Sequence, residues 1–125
     1  MNQAARRILI VDDEPALLRM MSVYLGRLGY HVTAVGTTAK AWAEVQASPA
    51  DFAVAVLDAS MPGLGMQELA LKILAVNSSV RVIAASGYPV DMGAIEAAAP
   101  GRVMFLHKPF APEMLVEAVR RMLDA

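Results

Sequence analysis

The sequence predicts an α/β fold, a doubly wound sheet of five parallel strands with helices on both faces. Three observations predict it. Short apolar runs such as Val54-Ala55-Val56-Leu57 recur along the chain, bounded by turn or acidic residues, the pattern of strands buried on both faces. Segments with apolar residues at helical spacing alternate with those runs. The connections are short, so each helix crosses back to a parallel neighbour in the right-handed sense.

The first strand is the run 8–11, ending in Asp12-Asp13-Glu14-Pro15. Pro15 fits the first turn of a helix, where its missing N–H does no harm. Leu18, Met21, Leu25 and Leu28 mark the apolar face of that helix, and Gly29 ends it. Residues 31–35 form the second strand, followed by Gly36-Thr37-Thr38 as turn and cap. Ala41 and Val45 belong to a short helix stopped near Ser48-Pro49, with Trp42 on an outer helix surface. Residues 52–57 are the third strand, ending at Asp58, with Met61-Pro62-Gly63 as the turn beyond it. Leu69, Ile73, Leu74 and Val76 mark the next helix, closed by Asn77-Ser78-Ser79. Residues 80–85 are the fourth strand, ending at Ser86-Gly87. Residues 91–99 read as an alanine-rich helix with little large apolar surface, stopped by Pro100-Gly101. Residues 103–106 are the fifth strand, ending at His107-Lys108-Pro109. Leu115, Ala118, Val119 and Met122 face inward on the last helix, with Arg120-Arg121 near its C-terminal end, where cations suit the macrodipole.

Composition narrows the function classes. A chain of 125 residues suits one domain, 1–125, and a 57% hydrophobic fraction with 18% charged residues describes a globular chain. A net charge of -1 gives no reason to expect a nucleic-acid or membrane surface. There are no cysteines, hence no disulfide framework and no thiolate metal site, which is compatible with a reducing cytoplasm. No apolar run approaches the ~18 residues of a membrane span. The run after Arg6-Arg7 is too short for a signal peptide's core, so those arginines are expected on a solvated strand start. His31 and His107 show no ligand pattern and are read as structural; the methionines are read as core fillers.

In an open parallel sheet the chemistry sits at the carboxyl ends of the strands. Those ends offer Asp12-Asp13, Asp58, Ser86-Gly87 and Lys108. Two carboxylates ~5 Å apart repel by roughly 3 kcal/mol at an effective dielectric of ~20. One lysine offsets part of this, and the remainder calls for a divalent cation with hard oxygen ligands, Mg²⁺ first. Such a site meets phosphate oxygens at its open positions. A carboxylate can also serve as a phosphoryl nucleophile, with Lys108 neutralising charge on the transferring group. The Ser86 hydroxyl and the Gly87 backbone can approach a phosphoryl oxygen closely.

Taken in order, these motifs resemble the receiver domain of two-component response regulators: Asp12-Asp13, then Asp58 with Met61-Pro62-Gly63, then Ser86-Gly87, then Lys108-Pro109-Phe110. The resemblance covers nearly the whole chain. It implies a flavodoxin-like sheet of order 2-1-3-4-5. It implies that Asp58 accepts a phosphoryl group from a histidine kinase or phosphotransfer protein and passes the signal to a partner or output domain in a bacterial cytoplasm. It further implies Mg²⁺ bound by Asp13, Asp58 and the Ser60 backbone carbonyl, with Asp12 acting through water. Ser86 and Lys108 would contact the phosphoryl group, and the Lys108–Pro109 peptide would be cis. Phe105 would be a switch residue responding to Ser86. The wording around Ser86-Gly87-Tyr88 and Phe105–Phe110 resembles receivers fused to hybrid histidine kinases.

The chain departs from the family pattern at Gly65-Met66, where many members carry Asp-Gly, and at Ala99-Pro100-Gly101 before the fifth strand. The competing reading is a phosphate-independent interaction module with the same fold, which the complete set of acids, hydroxyl and lysine disfavours. A dehalogenase-type phosphohydrolase would want a second Asp two residues after Asp58, and that position is Ser60.

Overall fold

The computed structural model describes residues 6–60 and 65–124. Strands and helices alternate as expected: β1 (Arg7–Val11), α1 (Pro15–Arg27), β2 (His31–Val35), α2 (Thr38–Ala47), β3 (Phe52–Asp58), α3 (Met66–Val76), β4 (Arg81–Ser86), α4 (Gly93–Ala98), β5 (Val103–His107) and α5 (Pro112–Asp124). The strands form one parallel sheet in the order β2-β1-β3-β4-β5.

The central strands are apolar throughout because both their faces are covered. One face packs Leu9, Ala55, Leu57, Val82 and Ala84 against Ala41, Val45, Leu69, Ile73 and Ile95 of α2, α3 and α4. The other packs Ile8, Ile10, Val54, Val56 and Ile83 against Met21, Leu25, Leu115 and Val119 of α1 and α5. Successive residues of β1 from Ile8, and of β3 from Val54 to Leu57, alternate between the two cores, as the period of a strand requires.

Local signals set the helix ends. Pro15 is the first residue of α1, and Gly29, at φ 94°, turns the chain where a β-carbon would be strained. Thr37 caps α2 by accepting from the Lys40 amide at 3.1 Å. Asn77, 3% exposed, ties the amino end of the sheet together. Its amide donates to the Phe52 carbonyl at 2.9 Å, and its carbonyl accepts from the Ser79 and Val80 amides at 3.1 and 3.0 Å.

Val76 ends α3 before Asn77 as the spacing predicts, with its side chain 45% exposed. Three expectations are corrected. Leu28 is the C-cap of α1 rather than part of its apolar face and is 44% exposed. The helix expected over 91–99 shortens to Gly93–Ala98, because the Asp91 carboxylate turns back to accept from the Gly93 amide at 2.8 Å. Arg7 is not solvated: its guanidinium lies 4.4 Å from the Phe52 ring centroid, donates to Thr33 Oγ1 at 3.2 Å and pairs with Asp51 at 3.6 Å.

The departure at Met66 has a structural counterpart, since Met66 is the first residue of α3 and is buried. Met61-Pro62-Gly63 lies outside the described residues. Trp42 is half-buried on α2, with Lys72 Nζ 4.8 Å from its ring centroid. Met21 and Met66 are core residues, whereas Met114 is 48% exposed.

Candidate functional site

Each sequence-predicted group leaves the sheet at the carboxyl end of its strand, and backbone bonds carry the ladder one step further. The Asp12 amide donates to the Val35 carbonyl at 3.2 Å, Ala59 to Ala85 at 2.8 Å, and Lys108 to Ser86 at 2.8 Å. The groups that converge are therefore positioned by the sheet itself rather than by free loops.

Asp12 is 2% exposed. Its Oδ1 accepts the Glu14 amide at 2.9 Å, which fixes the carboxylate, and its Oδ2 accepts from Lys108 Nζ at 2.8 Å. Asp58 ends β3 and is 4% exposed. Its Oδ1 accepts two bonds from Ser60, the amide at 3.0 Å and the hydroxyl at 2.8 Å, while Oδ2 lies 3.5 Å from Lys108 Nζ. Asp13 is exposed. Carboxylate oxygens of Asp12, Asp13 and Asp58 all lie within 4.8 Å of one another.

Ser86 is completely buried, and its hydroxyl accepts the Tyr88 amide at 3.2 Å. Gly87 is exposed and faces open space, with no atom within 4 Å of where a β-carbon would stand. Phe105 is half-buried on β5 and meets the His107 ring edge-on, at a centroid distance of 6.3 Å and an interplanar angle of 74°. The Lys108–Pro109 peptide is cis.

The charges respond to burial unequally. Burial raises the Asp12 pKa above its ordinary 3.8, although the Lys108 hydrogen bond and the Glu14 amide pull the other way. Burial alone would lower Lys108, but its hydrogen bond to Asp12 and the charges of Asp12 and Asp58 outweigh that, and its pKa rises above 10.5. Lys108 is thus an ammonium at neutral pH, facing more negative charge than it can neutralise. The donor set is all carboxylate oxygen, two of its three members buried, so these residues suit a small hard divalent cation and could hold a metal.

Sequence reasoning missed one member of this cluster. Glu14 Oε1 lies 3.3 Å from Lys108 Nζ. Its place directly after the acidic pair was the available signal, but a third acid before a helix reads first as a favourable dipole partner.

The family model for the response regulator receiver domain matches residues 8–120. The chain is 32% identical to the C4-dicarboxylate transport transcriptional regulatory protein DctD of Rhizobium meliloti, over 94% of this chain and 25% of that protein. It is 28% identical to the response regulator receiver protein CpdR of Brucella abortus, over 96% of this chain and 98% of that protein. The chain thus spans about a quarter of one of these relatives and nearly all of the other. Among solved structures, the chemotaxis protein CheY4 of Vibrio cholerae superposes with a TM-score of 0.82 at 27% identity, covering 96% of this chain and 100% of that one. The response regulator protein TrrA of Thermotoga maritima, in complex with Mg(2+)-BeF, superposes with a TM-score of 0.79 at 25% identity, covering 94% and 99%.

Proposed function

Since the chain belongs to the response regulator receiver domain family, a family of signalling domains, we propose that it is a phosphorylation-dependent switch whose phosphoacceptor is Asp58. The observation that carries the reading is the convergence of Asp12, Asp13 and Asp58 within 4.8 Å, with Lys108 Nζ 3.5 Å from the Asp58 carboxylate. Domain 1–125 acts as one unit, receiving the group from a histidine kinase or phosphotransfer protein in the cytoplasm and passing the signal to an output domain or partner.

A carboxylate oxygen of Asp58 attacks the phosphorus of a phosphohistidine. The P–O bond forms as the P–N bond breaks, and the imidazole nitrogen leaves with the electron pair and takes up a proton. The product is an aspartyl acyl phosphate, and hydrolysis by water resets the domain. Lys108, held as an ammonium by Asp12, stabilises the charge on the transferring oxygens. The two Ser60 hydrogen bonds hold the Asp58 carboxylate in one orientation before the donor arrives. Asp13, Asp58 and the Ser60 carbonyl would hold Mg²⁺, with Asp12 reaching it through water, and the ion would neutralise charge on the phosphoryl group. The Ser86 hydroxyl, which accepts from the Tyr88 amide in the resting form, donates its proton in a hydrogen bond to a phosphoryl oxygen, with the Gly87 backbone beside it. Phe105, half-buried against His107, then repacks inward.

The test is incubation with a small phosphodonor and Mg²⁺, read by intact mass. One base-labile, acid-stable phosphoryl group is expected on the wild type, with none on Asp58→Asn and almost none without Mg²⁺. An Asp58→Asn variant modified as fast as the wild type refutes the assignment. A wild type that is never modified, even by a cognate kinase, makes the phosphate-independent module the better reading.

A further inference from the structure

We propose that Glu14 is a positioning residue that competes with the phosphoryl group for Lys108, so that rupture of the Glu14–Lys108 ion pair is a step of the switch. This rests on Asp58 being the phosphoacceptor. Glu14 is the N-cap of α1, where a polar side chain normally turns back onto a helix amide. Its carboxylate makes no such bond. It reaches instead across 94 residues of sequence to Lys108 Nζ, at 3.3 Å.

Lys108 therefore has three carboxylate partners, at 2.8 Å (Asp12), 3.3 Å (Glu14) and 3.5 Å (Asp58). The acceptor is the farthest of them. Phosphorylation would replace the single charge of Asp58 by up to about two negative charges on three strong acceptor oxygens. Lys108 must then turn toward Asp58 and give up a partner. Asp12, with 2% of its side chain exposed, would be left as a buried carboxylate without its direct ammonium partner. Glu14, with a 64% exposed side chain, returns to water at little cost. The pair that breaks is Glu14–Lys108.

The same pair sits on the edge of an open groove of about 690 Å³, otherwise lined by residues such as Leu17, Met20, Pro109 and Phe110. Releasing Glu14 leaves an unpaired carboxylate on that rim. The groove edge is thus more negative in the modified form than in the resting one.

The experiment titrates beryllofluoride, a phosphoryl stand-in, into the protein at saturating Mg²⁺, followed by fluorine NMR. Glu14→Gln is expected to lower the half-saturating concentration by about two- to fivefold, the range that an exposed ion pair commands. Glu14→Asp keeps the charge but is one methylene shorter, so it should tighten binding similarly. In a Lys108→Met background the Glu14→Gln effect should vanish, as a double-mutant cycle requires of a direct pair. Wild-type affinity in both Glu14 variants overturns the proposal. So does an undiminished Glu14→Gln effect without Lys108, which would mark a through-space charge effect. If Lys108→Met takes up no beryllofluoride, the Glu14→Asp result decides alone. A wild type that takes up none marks failure of the phosphoacceptor reading itself, and the positioning role falls with it.

Discussion

Replacing Asp58 by Asn in metal-free protein should make the fold more stable, although it removes a buried carboxylate with three favourable contacts, two to Ser60 and one to Lys108. Carboxylate oxygens of Asp12 and Asp58 lie within 4.8 Å of each other, where two unit charges at an effective dielectric of ~20 repel by about 3.5 kcal/mol. Asp13 adds a second repulsion, roughly halved by its exposure to solvent and salt. Against these stands the attraction to Lys108 Nζ at 3.5 Å, about 4.7 kcal/mol in the same medium. Repulsion exceeds attraction by a fraction of a kcal/mol, and relief from burying a charge at a site 4% exposed adds to it. The amide of Asn keeps an oxygen for both Ser60 donors, so little bonding is lost. The expected gain is about 1 kcal/mol, or a rise in Tm of about 3–5 °C for a domain of this size. Urea and thermal melts in chelator measure it directly. Adding Mg²⁺ should narrow or reverse the order, because wild type gains about 2.7 kcal/mol at a ligand concentration of 100 Kd while the variant has lost a ligand. A metal-free Asp58→Asn protein less stable than wild type would refute the reasoning and show that Lys108 and Ser60 stabilise Asp58 by more than its acidic neighbours repel it.

Two further outcomes are expected. Asn77→Ala leaves the buried Phe52 carbonyl and Val80 amide without that partner and should cost about 3 kcal/mol, read by urea melts; a loss under 1 kcal/mol would mean that water or a backbone shift replaces the side chain. The third concerns pH in metal-free buffer. The Asp12 pKa is raised in the folded state, so its contribution to stability is complete below 3.8 and is lost as pH rises through the folded value. Asp12→Asn should therefore gain on wild type as pH climbs from that range to neutrality. Lys108 is also raised, so its contribution persists past neutrality and disappears only above 10.5. Parallel stability–pH curves for wild type and Asp12→Asn would contradict the burial argument.

The sheet was legible because its strands are buried on both faces, so 8–11 and 52–57 read as unbroken apolar runs and 80–85 as one interrupted only by Arg81. The site was legible because a parallel sheet sends all its carboxyl ends one way, which turns four scattered motifs into one cluster. What the residues hid was decided between elements. Arg7 carries no local sign that Thr33 of β2, Phe52 at the start of β3 and Asp51 just before it wait for it on the neighbouring strands. The Leu28 and Val76 positions obey helical spacing, but their helices stop at or before them, and periodicity says nothing of where a face runs out of sheet to cover. The shortened α4 follows from a side-chain turn at Asp91 that outcompetes helix initiation. Glu14 escaped because its partner lies 94 residues away.

That short helix has a mechanical consequence. The β4–β5 crossover runs through only six helical residues, and α4 itself inserts one fully buried side chain, Ile95, into the core, with Ala99 buried just beyond its end. On the opposite face α1 and α5 are each thirteen residues long. On the α4 side, α2 and α3 brace the rest of the face, so the weakly anchored part is the β4–β5 crossover itself, and that decides where a local displacement is absorbed. A pull on Ser86 at the tip of β4 meets its least resistance in the segment that follows, from Gly87 to Ala98, alongside half-buried Phe105. Filling that segment with larger apolar side chains would stiffen the spring, so the same chemical event at Asp58 would move the surface less.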